Sequence, residues 1–470
     1  CTDIDRPGMP ECSHADRQPF SYMFTTVECL PVCVDMNKLH VVILSDFGYV
    51  NGGNAAVALA SARGLARRGH RVTVLSAVGA GMHTTDLDGV RSVSSGQEEI
   101  RTDSNRIRAI LQGMWNFKAA RMLRALLREL DPARTVVHLH SWTQALSSSV
   151  VRTALAIGVP VVYTMHDYFS LCPNGTFFNH QTNEICRLRP MSLSCMASHC
   201  DKRSYVHKVW RVLRQAVQAN LGGVPNQIRD VIAVSPFSHA ILTPGLPPGA
   251  RVHHIPSPIE VSRDVPARVA SNTTFVMVGK ITQGKGALLF AKAARALGCD
   301  ALFVGDGPCA QEVLQVCPGA RVTGWVSREQ VTHYLKAARV LVFPSLWYET
   351  EGLSVIEAAA LGVPAIVADT SAARLSITEG VTGLCFAGAD ETDLTRVMQT
   401  IAADDALVGR MGQAAHDRYW EHPRTLERHV SELEAVYEQV LRRQRCQPWG
   451  VGEGGEDAAG VGDIRCRGRA

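Results

Sequence analysis

Two glutamates, Glu349 and Glu357, stand eight positions apart in the segment PSLWYETEGLSVIEAAALGVPAIVAD, residues 344–369. The first lies in a polar loop that follows an apolar run, and this run is predicted to be a buried strand. The second lies in the first turns of an apolar-patterned helix, which is predicted to begin near Gly352 and to end at Gly362. The segment therefore predicts a strand, a loop, a helix and a further strand, with one carboxylate in the loop and one near the helix start.

This arrangement suits the binding of a nucleotide-sugar. The backbone amides of Gly352, Leu353 and Ser354 lie at a helix N-terminus, where free N–H groups and the helix dipole favour a diphosphate. Glu357 can accept hydrogen bonds from paired ribose hydroxyls, and Glu349 can reach the hydroxyls of a sugar. The alternative is that both glutamates are ordinary solvated residues, since acidic side chains are common near helix starts.

The whole segment resembles the E-x7-E motif of retaining glycosyltransferases with two Rossmann-like domains, the GT-B type of family 4. The resemblance covers roughly residues 39–441. It implies an α/β fold in which two domains face each other across a cleft and a C-terminal helix crosses back to the first domain. It also implies transfer of a hexose, with retention of configuration, from a nucleotide-sugar to a saccharide or lipid-linked acceptor, mostly in surface polysaccharide or glycoconjugate biosynthesis. Glu351 departs from the family, which usually has an aromatic residue there, and is expected to add negative charge beside the donor pocket.

Two lysines surround a glycine-bearing loop after a predicted strand, in VGKITQGKGALLF. Lys280 and Lys285 could neutralise a leaving diphosphate, although two solvated lysines would give the same pattern. The resembled family commonly has Arg and Lys here, and Lys keeps the charge but lacks the bidentate fork. Trp325 stands where the family often flanks the nucleotide base, and an ordinary core tryptophan is the alternative.

The first half opens with a βαβ unit, in which a strand at 39–45 leads through the loop DFGYVNGGN into a helix. Its glycines would allow close approach of the backbone to a ligand, but the spacing is not G-x-G-x-x-G. A tight turn is the alternative. Because the loop faces the donor phosphates in the resembled family, a role in donor binding is predicted for Gly52, Gly53 and Asn54.

Polar residues also follow the predicted strands at 135–139 and 161–164. Such positions line the crevice at the carboxyl ends of parallel strands, and the candidates are His138, His140, His166 and Asp167. A lone histidine at a strand end is often structural. His166 matches a histidine that lies near the transferred sugar in the resembled family, so it is predicted to donate a hydrogen bond there.

No catalytic metal and no cofactor are expected. Metal-using transferases carry a D-x-D motif, and Asp86-Leu87-Asp88 has these letters. This triplet is predicted to lie in a loop far from the pocket, so the match is attributed to chance. Stabilisation of the leaving group is instead assigned to Lys280, Lys285 and helix N-terminal amides.

Four cysteines, Cys172, Cys186, Cys195 and Cys200, fall within 29 residues, separated by 13, 8 and 4 intervening residues. The spacing is not that of a C-x2-C knuckle. Three alternatives stay open: reduced thiols partly in a core, a structural zinc, and disulfides, which a reducing compartment disfavours. If a zinc ion or disulfides order the insert 172–218, it is expected to frame the acceptor side of the cleft.

The helix predicted after Cys200 is amphipathic, with basic residues opposite an apolar face. One interpretation is a helix packed on its domain through the apolar face, with a solvated basic face. The other is contact of the basic face with anionic lipid or a lipid-diphosphate acceptor. The basic positions are Lys202, Arg203, Lys208, Arg211 and Arg214.

The 470 residues predict two or three domains, and a net charge of +4 gives no argument for nucleic acid. No run of 18 apolar residues occurs, so the protein is expected in the cytoplasm, with peripheral contact at the inner membrane face as a further hypothesis. The predicted regions are a disordered leader or non-native start (1–35), a first domain (36–258), a second domain (272–412), returning helices (413–442) and a flexible tail (443–470).

Two rival functions fit the sequence less well than a glycosyltransferase does. A sugar-nucleotide epimerase can use the same fold, but the E-x7-E segment is not its usual signature. A non-catalytic carbohydrate-binding scaffold would be favoured if Glu349, Glu357 or the lysine pair were missing, and all four residues are present.

Overall fold

Short apolar segments in each half of the chain form parallel strands, and these strands build two separate sheets. The computed structural model describes residues 38–79 and 86–446. The expectations for residues 1–35, including a natural start at Met36, and for the tail 447–470 lie outside the described residues.

The first half contains an eight-stranded sheet, which is parallel apart from one antiparallel edge pair, and a two-stranded hairpin. In chain order its strands are β1 (His40–Phe47), β2 (Arg71–Val78), β3 (Asp86–Leu87), β4 (Val90–Ser94), β5 (Thr135–Leu139), β6 (Val161–Met165), β7 (Phe178–Asn179), β8 (Glu184–Ile185), β9 (Asp230–Ala233) and β10 (Arg251–His254). The sheet order is β10-β9-β6-β5-β1-β2-β4-β3, and β7 pairs with β8 in the hairpin. Helices connect these strands: α1 (Gly53–Arg67), α2 (Arg106–Met114), α3 (Phe117–Arg128), α4 (Ser149–Ile157), α5 (Leu193–Ala197), α6 (Tyr205–Asn220) and α7 (Pro236–Leu242).

The second half repeats the pattern with a six-stranded parallel sheet. Its elements are β11 (Thr274–Val278), α8 (Ala287–Leu297), β12 (Ala301–Val304), α9 (Ala310–Val316), β13 (Arg321–Val322), α10 (Arg328–Lys336), β14 (Ala338–Phe343), α11 (Leu353–Ala360), β15 (Ala365–Ala368), β16 (Gly383–Phe386), α12 (Glu391–Ala403), α13 (Asp405–Glu421) and α14 (Leu426–Cys446). The sheet order is β13-β12-β11-β14-β15-β16. The predicted α/β fold with two Rossmann-like domains is confirmed.

The last helix, α14, packs against α1 of the first domain. Tyr437 on α14 lies 2.6 Å from Nδ1 of His138 on β5, and both side chains are buried. His138 is therefore an anchor for the crossing helix, and the prediction that it lines the cleft is wrong. The predicted returning segment also needs correction, because α13 packs on α11 of the second domain and only α14 crosses.

One helix starts later than its sequence pattern indicates. The sequence ALSSSVVRTALA, residues 145–156, predicts a helix that begins near Ala145, but α4 starts at Ser149. The buried carboxylate of Asp46 accepts hydrogen bonds from the amides of Gln144, Ala145 and Leu146, which holds this stretch as a turn. Across residues 38–79 and 86–446, no helix has the length and apolar character needed to cross a membrane.

Candidate active site in the interdomain cleft

A cleft of about 530 Å³ lies between the two domains, at the carboxyl ends of their parallel strands. The structure brings together around this cleft all twelve residues assigned to catalysis or donor binding from the sequence. They are Gly52, Gly53, Asn54, His166, Lys280, Lys285, Trp325, Glu349, Gly352, Leu353, Ser354 and Glu357.

Two helix N-termini meet at this cleft, one from each domain. A Cβ placed on Gly53, the first residue of α1, would lie 3.2 Å from Cδ1 of Leu353, the first residue of α11. Gly352 has φ +92°, and a Cβ there would lie 2.7 Å from Cβ of Ala373, so only glycine fits this turn. Neither helix has a side-chain cap, so backbone N–H groups of both helices are available to an anion.

Glu349 is the most heavily hydrogen-bonded carboxylate in the cleft. Its Oε1 accepts from Lys285 Nζ at 2.7 Å, from the Ser345 hydroxyl at 2.5 Å and from Trp347 Nε1 at 2.6 Å. Burial alone would raise the pKa of Glu349, but Lys285 and the two other donors hold it below its ordinary value. Glu349 is thus a fixed anion at neutral pH.

Lys280 and Lys285 differ in their surroundings. Lys285 pairs with Glu349 and lies 5.8 Å from the ring centroid of Trp347. Lys280 is exposed at the cleft and makes no hydrogen bond or ion pair with any described residue. Partial burial and the nearby Arg101 lower the pKa of Lys280. Lys280 is therefore the cation that remains available to a ligand. Trp325 is 64% exposed at the cleft, which does not fit a core tryptophan.

Glu357 belongs to an ion-pair network that links the two domains. Its Oε1 lies 3.2 Å from Arg328, which also pairs with Glu260 at 2.8 Å. Glu260 in turn lies 3.3 Å from Arg63 on α1. Burial raises the pKa of Glu357, and Arg328 opposes this shift. Sequence reasoning missed Arg328 and Glu260, because no local pattern connects residues so far apart in the chain.

Glu351 lies at the cleft lining, and its carboxylate has partners that the sequence does not indicate. Its side chain is 5% exposed, and its Oε1 accepts from the amide of Ser257 at 3.0 Å and from Arg424 at 2.5 Å. Ser257 lies at the start of the interdomain linker, and Arg424 precedes α14. The carboxylate therefore ties the E-x7-E loop to the two segments that connect the domains.

This environment predicts a pH dependence of stability. Burial raises the pKa of Glu351 from 4.5 to about 7, although Arg424 and Ser257 oppose the shift. A carboxyl with a raised pKa binds more protons in the folded state than in the unfolded state. Its contribution to the free energy of unfolding therefore falls as the pH rises from 4.5 towards 7, by at most about 1.4 kcal/mol per pH unit.

The measurement is the free energy of unfolding by denaturant at several pH values between 4.5 and 7.5, for wild type and Glu351→Gln. The variant is expected to be less stable but to lack this part of the downward slope. Glu427→Gln, which removes an exposed carboxylate on α14, should keep the wild-type slope. Identical slopes for wild type and Glu351→Gln would show that Glu351 binds protons equally in the folded and unfolded states, which contradicts a raised pKa.

His166 is held between the two domains. Its Nε2 lies 3.0 Å from Nδ1 of His140, and its carbonyl oxygen accepts from the Thr350 hydroxyl at 3.0 Å. Burial, with a smaller contribution from His429, lowers the pKa of His166 to about 3, so the ring is neutral at pH 7. His140 is buried behind His166 and does not line the cleft, contrary to prediction.

Asp167 also does not line the cleft. Its carboxylate accepts from the amide of Phe169 at 3.0 Å, and burial raises the pKa of Asp167 to about 6. The triplet Asp86-Leu87-Asp88 forms the short edge strand β3 and a turn rather than a loop, and it is not part of the cleft lining.

The cysteine-containing insert contacts the residue that holds Glu349. Rings of Phe178 and His180, at the β7–β8 hairpin, lie 6.2 and 6.0 Å from the ring of Trp347 in edge-to-face contacts. Trp347 donates to Glu349. The insert therefore packs against the tryptophan that holds this carboxylate in place.

A lysine lies between two of the four cysteines. Nζ of the buried Lys208 is 3.2 Å from Sγ of Cys200 and 3.6 Å from Sγ of Cys195. Cys172 and Cys186 are also free thiols in this region. In the described part of the chain, no three His, Cys, Asp or Glu side chains are placed to hold a metal ion. The structural zinc at the insert stays a hypothesis, without a preformed ligand set.

Helix α6 buries the basic face that was predicted to be exposed to solvent. Lys208 and Arg214 are buried, and Arg211 pairs with the buried Asp201 at 2.6 Å. The exposed side chains of α6 include Val206 and Leu213. The predicted solvated basic face is therefore wrong, because the insert supplies buried partners for it.

Comparison with known proteins agrees with this geometry. A family model described as Glycosyltransferase Family 4 matches residues 51–263, and one described as Glycosyl transferases group 1 matches residues 272–404. The boundary between the matches falls in the linker between the two sheets.

Curated relatives include several glycosyltransferases. A D-inositol 3-phosphate glycosyltransferase of Streptomyces avermitilis is 40% identical over 90 residues, or 19% of each chain. One from Nocardiopsis dassonvillei is 24% identical over 348 residues, covering 67% of this chain and 73% of that protein. The TuaC protein of Bacillus subtilis, described as a putative teichuronic acid biosynthesis glycosyltransferase, is 42% identical over 98 residues. For the relatives with the highest local identity, the matched region thus spans only about a fifth of their length.

Solved structures share the fold at low sequence identity. Sucrose-phosphate synthase from Thermosynechococcus elongatus superposes with a TM-score of 0.66 at 16% identity, covering 86% of this chain and all of that one. Anabaena HepE, solved in complex with UDP and glucose, gives a TM-score of 0.61 at 14% identity, covering 85% and 100%. These similarities establish the GT-B arrangement of the two domains.

Proposed function

We propose that this chain, which has glycosyltransferase-family sequence in both halves, transfers a sugar from a nucleotide-sugar to a saccharide or lipid-linked acceptor. We further propose that transfer retains the anomeric configuration and needs no catalytic metal. The supporting observation is the single cleft in which two helix N-termini, Glu349, Glu357 and Lys280 converge.

The donor is assigned to the second-domain side of this cleft. The N-termini of α1 and α11 would face its diphosphate, and Lys280 would add a positive charge. Glu357 would accept from the ribose hydroxyls, and the exposed ring of Trp325 would stack on the base. Lys280 and the amides at the two helix starts have no side-chain partner among the described residues. Glu357 and Trp325 lie at the cleft surface.

The transferred sugar is assigned to the space between Glu349 and His166. Lys285 keeps Glu349 ionised, so its carboxylate can accept from sugar hydroxyls. The neutral His166 can donate a hydrogen bond without carrying charge. As the bond to the leaving phosphate breaks, Lys280 and the helix amides stabilise the developing charge, and the acceptor oxygen attacks from the same face. The proton of the acceptor passes to the departing phosphate oxygen.

A role in building surface polysaccharides is proposed on the similarity to TuaC. The similarity to inositol-phosphate glycosyltransferases makes an inositol phosphate a second acceptor to test. The insert packs against Trp347, which donates to Glu349, so we propose the insert as the element that contacts the acceptor.

The proposed function can be tested by stabilisation and transfer. A panel of UDP-, GDP- and ADP-sugars is mixed with the full chain, and the melting temperature is recorded for each. A donor present at about 100 times its Kd should stabilise the fold by about 2.7 kcal/mol. No stabilisation by any member of the panel would contradict the proposal.

Transfer from the stabilising donor is expected to persist after preincubation with excess EDTA, because lysine and backbone amides replace a metal ion. Release of nucleoside diphosphate measures the rate. Loss of activity that manganese or magnesium restores in a folded protein would contradict metal independence. Loss together with unfolding would identify a structural metal, with zinc at the insert as the first site to examine by metal analysis.

A further inference from the structure

Two neighbouring helices of the first domain expose aliphatic side chains in stripes. On α2, Ile107 and Leu111 are 72% and 63% exposed, and Ile110 lies beside them at helical spacing. On α6, Val206 and Leu213 are 77% and 53% exposed. Single exposed apolar residues are common, whereas a group on adjacent helices indicates an interaction surface.

The two helices touch, so their stripes belong to one surface. The ring of Trp210 on α6 lies against Gly113 on α2. Phe117 at the start of α3 and Leu193 on α5 are also strongly exposed next to these helices in the chain. We call the residues Ile107, Ile110, Leu111, Val206, Val209 and Leu213 the α2–α6 surface.

The segments that carry this surface are basic. Residues 98–129 contain seven Lys or Arg and four Asp or Glu, and residues 184–214 contain seven and two. Their combined net charge is +8, whereas the whole chain carries +4. The remainder of the chain is therefore net negative. Lys208 and Arg214 are buried, so the exposed positive charge near the apolar stripes comes from residues such as Arg106, Lys202 and Arg203.

The α2–α6 surface is continuous with the rim of the cleft. Arg101, five residues before α2 begins, donates to the Gln144 side chain at 3.2 Å. Gln144 lines the cleft, as does Lys280. A ligand lying on the surface would thus end close to the place where the acceptor is expected.

We propose that the α2–α6 surface docks on a lipid bilayer that contains anionic headgroups, which would bring a lipid-linked acceptor to the cleft. The aliphatic stripes would enter the headgroup region, and the exposed basic side chains, among them Arg106, Lys202 and Arg203, would face the anionic lipids. A second copy of this chain is a poorer occupant, because two net-positive surfaces would face each other. This docking rests on the proposed function only for the identity of the acceptor.

The test is cosedimentation of the full chain with vesicles of phosphatidylcholine alone and of phosphatidylcholine mixed with phosphatidylglycerol. Wild type is expected to bind the mixed vesicles, more weakly at high salt. The triple variant Ile107→Gln, Leu111→Gln and Val206→Gln should bind at least about tenfold more weakly, since each side chain loses its apolar transfer free energy. The matched control places Gln at Val265, Leu314 and Leu375, which are exposed elsewhere, and should bind as wild type.

Nucleotide-sugar stabilisation of the same variants separates this proposal from the proposed function, because the surface residues do not line the cleft. Wild type that ignores mixed vesicles at low salt would overturn the docking proposal. Equal binding by wild type and the triple variant would also overturn it. A wild-type dimer that the triple variant converts to a monomer would reassign the surface to self-association.

Discussion

Glu349→Gln is expected to lower kcat by about 100-fold or more while the affinity for nucleoside diphosphate stays nearly unchanged. The substitution keeps the size of the side chain and removes the charge that Lys285 and Trp347 hold in place. In the proposed assignment this carboxylate contacts the transferred sugar and not the nucleotide. Its loss should therefore affect the transition state more than binding of the nucleotide product.

The measurement combines steady-state transfer with calorimetric titration of nucleoside diphosphate. Glu427→Gln, on the exposed side of α14, is the matched control and should leave both quantities unchanged. A kcat equal to that of wild type would remove Glu349 from the site. A large loss of nucleoside diphosphate affinity with little change in kcat would place Glu349 on the nucleotide.

The dependence of Glu349 on Lys285 gives this experiment a second arm. Without Lys285, burial would raise the pKa of Glu349, because the strongest opposing interaction is lost. Lys285→Met should therefore lower kcat at neutral pH and recover part of it as the pH rises and Glu349 ionises. A variant whose residual kcat does not change with pH would show that Lys285 acts by another route.

The grouping of the candidate residues around one cleft could be predicted because they belong to local patterns at strand ends. The E-x7-E segment, the lysine loop and the Gly52–Asn54 turn each follow a strand of a parallel sheet. The carboxyl ends of such strands lie on one edge, so two sheets that face each other bring these loops into one cleft. Local strand and loop patterns therefore predicted that residues almost 300 positions apart in the chain lie in the same cleft.

The orientation of α6 could not be predicted in this way. Its sequence shows two faces, but periodicity does not tell which face packs inward. The inward face of α6 is set by residues of the insert. Asp201 pairs with Arg211, and the thiols of Cys195 and Cys200 lie beside Lys208. These partners offset the cost of burying the basic face, because a buried charge without a partner is strongly destabilising.

The side-chain pairs that join the two domains could not be predicted from the sequence either. From the sequence, Glu351 is expected to add negative charge beside the donor pocket, and no local pattern indicates its partners. Its partners, Ser257 and Arg424, lie about 90 and 70 positions away and meet it only where the linker and the returning segment cross the cleft. The pairing of Arg328 with Glu260 and Glu357 has the same origin.

Glu357→Ala is expected to weaken the binding of nucleoside diphosphate-sugar by about 10- to 100-fold, because the ribose hydroxyls lose a charged acceptor worth about 1.5–3 kcal/mol. The contact of Glu357 with Arg328 offers a competing explanation, in which the carboxylate only positions that arginine. Ligands lacking a ribose hydroxyl separate the two. Wild type should bind the 2′- or 3′-deoxy nucleotide more weakly than the parent nucleotide, and Glu357→Ala should bind both equally. Arg328→Gln, the matched control, should keep the wild-type preference for the parent nucleotide. If Glu357→Ala still prefers the parent nucleotide to the wild-type extent, Glu357 does not contact the ribose.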